Sequence, residues 1–203
     1  HCGSGLAMRA KGMGANVVIT EIDPLAALRA VMDGFRVMKM DDAAAIGDIF
    51  CTATGMKDIL VERHFASMKD GAIISNTGHY DCEINIVDLK GLAQSVRTIR
   101  SENEEYTLSD GRKIFLLAEG RLVNLAAAEG HPSEVMDMSF ANQYLALCRL
   151  AAEGKDMDPI VYDITKQQDI DVASTKLDTL GFEIDELTQD QIKYTTDYTA
   201  GTE

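Results

Sequence analysis

Three sets of residues have the types and spacing to do chemistry. The first is Gly3-Ser4-Gly5, which precedes helix-like Leu6 to Gly12 and the β-branched run Asn16-Val-Val-Ile-Thr-Glu21. Glu21 stands 18 positions after Gly3. In a dinucleotide-binding βαβ unit the second strand ends in an acid about 20 residues beyond the glycine turn. Glycines there let the backbone approach a pyrophosphate, and the helix N-terminus adds free N–H groups and partial positive charge. The acid accepts the adenosine ribose hydroxyls and repels a 2′-phosphate, so Glu21 favours NAD over NADP. The competing structural reading is that Gly3 and Gly5 only allow close strand–helix packing and that Glu21 is solvated.

The second set is Thr77-Gly78-His79, directly after a strand-like run, where α/β sheets bind ligands. A histidine there is a candidate acid/base, or else an ordinary hydrogen-bonding side chain. The third is Arg121 with His131, which a hydride-transferring 2-hydroxy-acid dehydrogenase would need beside a partner acid; nothing in the sequence supplies that acid in place. His131-Pro132 otherwise reads as a loop entering a helix, with Ser133 as its cap. His64, beside Arg63 in a helical stretch, reads as a surface residue.

Composition removes several classes. Of 203 residues, 46% are hydrophobic and 26% charged, as in a folded chain. Lys and Arg number 19 against 33 Asp and Glu, a net charge of −14 that argues against nucleic acid and anionic membrane surfaces. No apolar run approaches the ~20 residues needed to span a bilayer, and no secretory leader is expected. Cys2, Cys51, Cys82 and Cys148 form no C-x-x-C pair, and the four histidines no H-x-x-x-H pair, so no metal is expected. Scattered cysteines suit a reducing, cytoplasmic setting.

The elements that must position these residues alternate. Strand-like segments are Asn16–Glu21, Arg36–Met40, Ile49–Thr54 and Ala72–Asn76; helix-like ones are Leu25–Met32, Asp41–Ile46 and Val61–Met68. That alternation predicts an α/β fold, a doubly wound parallel sheet of Rossmann-like type. Val96 to Leu108 reads as one extended segment, turned at Asp110-Gly111 into apolar Ile114–Ala118. Val135 to Ala152 predicts a long helix, and Ile170–Leu180 and Thr188–Tyr194 predict helices in a polar, acidic C-terminal extension. The expected divisions are 1–130 for the dinucleotide-binding domain, 131–158 for the long helix and 159–203 for the extension. A Rossmann sheet needs a central first strand ahead of the glycines, so that strand is expected upstream of residue 1.

Several strings resemble the S-adenosylhomocysteine hydrolase (adenosylhomocysteinase) family. They are Gly12-Met-Gly-Ala-Asn-Val-Val-Ile-Thr-Glu-Ile-Asp-Pro24, Ala53-Thr-Gly55, Asn76-Thr-Gly-His-Tyr-Asp81, Leu117-Ala-Glu-Gly-Arg-Leu-Val-Asn-Leu125 and Gly130-His-Pro-Ser133. The likeness covers nearly the whole chain and corresponds to the family's NAD-binding domain and C-terminal region, without its substrate domain. It implies NAD-dependent, reversible hydrolysis of S-adenosyl-L-homocysteine to adenosine and L-homocysteine, through transient oxidation of the 3′-hydroxyl, which acidifies the 4′-hydrogen. The resemblance places Cys2, Gly3, Ser4 and Gly5 at the pyrophosphate and Glu21 at the ribose. Thr52, Ala53 and Thr54 match the strand end on the nicotinamide side, and Thr77, Gly78 and His79 the loop between nicotinamide and substrate sugar, with His79 catalytic. Asn124 matches the carboxamide-holding residue, and His131 a loop histidine touching adenine near the cofactor. Met136 and Phe140 match apolar contacts to adenine.

The chain departs from the family pattern in three places. Ala26 stands where Asn is common, and Glu129 where Met is common in the substrate loop. The end, Tyr194 to Glu203, resembles short-tailed members, which lack the Lys and Tyr that others insert into a neighbouring subunit's NAD site. The resemblance further implies a homotetramer and a long helix that returns to the substrate domain. A non-enzymatic NAD-binding or oligomerisation module is the reading from another class.

Overall fold

The computed structural model describes residues 1–197. Contacts divide the chain into two units, His1–His131 and a second from Pro132 onward. In the first, α1 (Cys2–Gly12) begins four residues before the sequence suggests and takes the glycines into its first turn. Arg9 and Lys11 complete its last turn, where cations complement the helix dipole. Lys11 Nζ also donates to the Asp33 carbonyl at 3.0 Å and lies 4.7 Å over the Phe35 ring. It thereby ties α1 to the turn after the next helix. That helix, α2 (Pro24–Met32), starts with proline at its first position and with Asp23 accepting the Leu25 N–H at 3.0 Å.

Strands β1 (Val18–Ile19) and β2 (Arg36–Val37) flank α2 and pair in parallel, both shorter than their β-branched runs. After α3 (Met40–Ala44) come β3 (Ile49–Thr52), α4 (Glu62–Ser67) and β4 (Ala72–Asn76). A 3-10 turn at Asp81–Glu83 leads to α5 (Ile86–Leu92), β5 (Ala93–Arg100), β6 (Asn103–Leu108) and β7 (Lys113–Leu117). A second 3-10 turn, Ala118–Gly120, precedes α6 (Val123–Ala126).

The α/β architecture expected from the alternation holds, with a specific topology. The larger sheet has the order β3-β4-β7-β6-β5. Its first three strands are parallel; β6 pairs antiparallel with β7, and edge strand β5 antiparallel with β6. The parallel strands read as nearly continuous apolar runs because helices cover them. Leu60, Phe65, Ile74, Leu89, Ile114 and Leu116 are wholly buried. At about 1.5–3 kcal/mol per buried side chain, this cluster is the main support of the strand ends discussed below.

Some local readings change. Val96 to Leu108 is not one extended run: the chain turns at Ser101-Glu102, with Glu102 at φ 58°, so β5 and β6 form their own hairpin. The Asp110-Gly111 turn forms as expected, Gly111 at φ 90° and Asp110 accepting the Arg112 N–H at 3.0 Å. Helix α5 escaped notice because it is short and contains Gly91, a poor helix former; Asn85 starts it by accepting the Asp88 N–H at 3.1 Å.

The second unit contains α7 (Ser133–Glu153), α8 (Lys166–Leu180) and α9 (Gln189–Tyr194). Gln168 on α8 donates to the Asn142 carbonyl of α7 at 3.0 Å, and Lys176 pairs with Asp137 at 2.9 Å. Thr165 caps α8, and Gly181 ends it at φ 74°. Ser133 opens α7 from inside the helix and does not cap it, the N-cap being Pro132. No helix among the described residues is long and apolar enough to cross a membrane. Residues 198–203, the last of the tail, lie outside the described residues.

His64 corrects the surface reading. It is 2% exposed, and its Nδ1 accepts the Val61 N–H at 3.2 Å. Its Nε2 lies 3.0 Å from Asp41 Oδ1 but is poorly aligned for a hydrogen bond. Burial, reinforced by Arg63, pushes the imidazole below its ordinary value of 6.5, with Asp41 opposing. The unfolded chain therefore takes up this proton first as the pH falls, so His64 weakens the fold below about 6.5. The urea midpoint is expected to drop between pH 7 and pH 5.5, and to drop less in His64→Gln. An unchanged slope in that variant would refute the assignment.

Candidate functional site

The start of α1 leaves backbone donors without partners in the helix. His1 provides no side-chain cap and the first turn carries no acid. The first helical bond runs from the Gly5 N–H to the His1 carbonyl at 3.0 Å. The N–H groups of Cys2, Gly3 and Ser4 therefore have no partner within the helix. A Cβ on Gly3 would lie at an ordinary 3.8 Å from Ala53 Cβ, and one on Gly5 would meet nothing within 4 Å. Within residues 1–197 no neighbouring side chain demands these glycines. The same measurement puts the start of α1 beside the end of β3.

Glu21 follows β1 and is exposed. Its Oε1 accepts the N–H groups of Ile22 at 2.7 Å and Asp23 at 3.0 Å. These bonds fix the carboxylate while leaving Oε2 available. Asp23 cannot compete for a ribose, because both its oxygens face the start of α2.

At the ends of β3 and β4 one buried side chain holds three loops. Asn76, fully buried, accepts the Thr52 hydroxyl at 3.0 Å and the Gly78 N–H at 2.6 Å through Oδ1. Its Nδ2 donates to the carbonyls of Tyr80 at 2.8 Å and Gly120 at 3.0 Å, with Gly78 a longer 3.3 Å. The Thr77 N–H and hydroxyl both donate to the Thr52 carbonyl, at 2.8 and 3.1 Å. Glu83, also fully buried, accepts the N–H groups of Thr54 at 3.0 Å and Gly55 at 2.6 Å, and the Thr54 hydroxyl at 2.9 Å. It leaves so little room that a Cβ on Gly78 would fall 1.6 Å from Glu83 Oε1.

Thr52, Ala53, Thr54, Thr77 and Gly78 thus gather at one crevice. The three threonines commit their hydroxyl protons to the protein and not to a ligand. His79 is exposed beyond them, its ring edge-on to Tyr80 at 4.3 Å. Asn124 is half-buried on α6, two residues after Leu122, which bridges to Asn76. Its carbonyl accepts the Gly130 N–H at 2.8 Å, and its amide has no partner among the described residues. His131 is exposed just after Gly130, a left-handed residue at φ 78°. Met136 and Phe140 lie in the second unit, where they line a shallow groove with Asp137 and Lys176. Phe140 is 57% exposed, so it is not a core residue of that unit.

Asn76 and Glu83 are the site residues that sequence reasoning missed. Asn76 had a visible signal, a polar residue closing an apolar strand directly before Thr-Gly-His. Glu83 had none, since Asp81-Cys82-Glu83 reads as a solvated acidic turn.

These groups fit a dinucleotide. Free N–H groups at α1 suit a pyrophosphate, the free oxygen of Glu21 suits a ribose, and the far end offers an uncommitted imidazole and amide. Comparison with known proteins agrees. Residues 1–130 match the family described as S-adenosyl-L-homocysteine hydrolase, NAD binding domain. An S-inosyl-L-homocysteine hydrolase of Methanocaldococcus jannaschii is 55% identical over 99% of this chain and 48% of its own length. An adenosylhomocysteinase of Archaeoglobus fulgidus is 55% identical over 99% of this chain and 49% of its own. One from Aquifex aeolicus is 53% identical over 99% of this chain and 48% of its own. The chain spans about half the length of these relatives. With an NAD-binding domain over residues 1–130, the chain belongs to the S-adenosyl-L-homocysteine hydrolase family.

Proposed function

We propose that this chain is the cofactor-binding half of an NAD-dependent hydrolase that reversibly splits S-adenosyl-L-homocysteine into adenosine and L-homocysteine. The observation that carries this reading is an exposed imidazole, His79, on a loop clamped to the neighbouring strand ends by buried Asn76. The N–H groups of Cys2, Gly3 and Ser4 and the open backbone at Gly5 bind the pyrophosphate, and Glu21 binds the adenosine ribose. Ala53 and the backbone of Thr52, Thr54, Thr77 and Gly78 wall the nicotinamide, and Asn124 orients its carboxamide. The chemistry NAD supplies when bound is reversible hydride transfer at the 3′-carbon of the substrate ribose. His79 stands at the reacting sugar, where its uncommitted ring nitrogens hold or move a proton. For the base of the substrate, the resemblance supports His131 and, taken by itself on the second unit, the pair Met136 and Phe140. The resemblance supports a homotetramer, and four free cysteines support the cytoplasm.

A second reading changes only the base. Two relatives at 55% identity, from Methanocaldococcus jannaschii and Methanococcus maripaludis, are S-inosyl-L-homocysteine hydrolases. Glu129, exposed in the loop ahead of His131, is a departure at that end of the site.

Three outcomes are expected of the full-length natural protein. His79→Ala lowers kcat by about 10²–10⁴-fold while NAD still binds, and unchanged turnover refutes the catalytic role. Glu21→Ala weakens NAD by about tenfold and narrows its preference over NADP in a fluorescence titration; an unaltered preference removes Glu21 from the ribose. Compared at equal concentration, S-adenosyl-L-homocysteine turns over faster than S-inosyl-L-homocysteine, and the reverse order selects the second reading.

A further inference from the structure

Glu83 and Glu105 are the buried acids among the described residues, and they are built differently. Glu105 pairs with Arg97 at 2.7 Å. Glu83 meets no cation among the described residues; its partners are the N–H groups of Thr54 and Gly55 and the Thr54 hydroxyl. Burying a carboxylate without a cation is unfavourable unless donors surround it. Here the donors come from the turn after β3, and the Gly78 backbone, next to His79, packs against the same carboxylate at Oε1. The Glu83 carbonyl also accepts the Ile59 N–H at 2.8 Å and the Leu60 N–H at 3.0 Å, anchoring the carboxylate to the core beneath. The side chain is therefore a strut between the two loops that carry the candidate nicotinamide wall.

We propose that Glu83 is a positioning residue for the nicotinamide half of the dinucleotide, acting through Thr54, Gly55 and Gly78, an inference that rests on the cofactor site proposed above. The adenosine and pyrophosphate half depends on α1 and Glu21, which Glu83 does not touch. Loss of the strut should separate the two halves of binding. A purely structural acid would affect both halves equally or neither.

The test is calorimetric titration of the full-length natural protein with NAD and with ADP-ribose, which lacks the nicotinamide, alongside its Tm. In Glu83→Gln one accepting oxygen becomes a donor facing N–H groups. NAD affinity is expected to fall about tenfold or more, and ADP-ribose affinity to stay within about twofold. Parallel loss of both ligands, or no loss of either, overturns the inference. If Glu83→Gln does not fold, Glu83→Asp, which keeps the charge and shortens the reach, decides on the same two criteria with a smaller loss of NAD. Wild-type protein that binds neither ligand overturns the cofactor site itself, and this inference with it, before any substitution is compared.

Discussion

The fold turns on the saturation of one amide. Where parallel strands end, their last N–H and C=O groups lose ladder partners, and the loops that follow are free to separate. Asn76 meets that problem at the end of β4 with a side chain that both accepts and donates. Its oxygen accepts a hydroxyl from β3 and an N–H from its own loop, and its nitrogen donates to the carbonyls of Tyr80 and Gly120. Neither an acid nor an apolar residue of this size satisfies both demands, because a carboxylate has no hydrogen to give and leucine has neither group. The core under the sheet sets where the strands lie, and Asn76 sets how their ends are disposed toward a ligand.

How much of this was legible in the sequence depends on the range of the interaction. Periodicity and β-branching found every strand of the parallel set, because those features are local and repeated. Strand ends were overestimated by a few residues, as at Asn16–Glu21 against Val18–Ile19, because a β-branched run does not say where its pairing partner stops. The glycine-rich start leads into a helix expected from Leu6, yet the first turn tolerates glycine and the helix begins at Cys2. His64 and Glu83 were hidden for a different reason. Their burial is decided by residues distant in sequence, and a histidine or glutamate in a polar stretch carries no local sign of it. The family was legible in the strings around Glu21 and His79, because they are long and specific.

Electrostatics sharpen the division of labour. The chain carries −14, yet the proposed cofactor is itself an anion. Exposed surface charges act over a Debye length of about 8 Å at physiological salt, so most of that excess is screened at the site. What remains is local: no acid in the first turn of α1, unpaired N–H groups pointing out of it, and the Glu21 carboxylate held to its own backbone. The buried carboxylate beside the turn after β3, Glu83, is wrapped in N–H and O–H donors. Dipoles oriented by the backbone shape the field of the crevice, where mobile side-chain cations would blur it.

The commitments of the threonines set what is left for chemistry. A hydroxyl can donate one proton, and those of Thr52, Thr54 and Thr77 go to Asn76, Glu83 and the Thr52 carbonyl. Three residues that sequence alone offers as ligand donors are therefore fasteners of the strand ends, and only the lone pairs of their hydroxyls are left to accept. Among the candidate residues described, the His79 imidazole, the Asn124 amide and one oxygen of Glu21 keep side-chain groups with no protein partner. They lie on different elements, so no local motif can assemble them; the sheet and the Asn76 clamp do. An arrangement made this way separates rigidity from availability: bonds among the fasteners can be optimised for geometry, while the few free groups remain uncommitted.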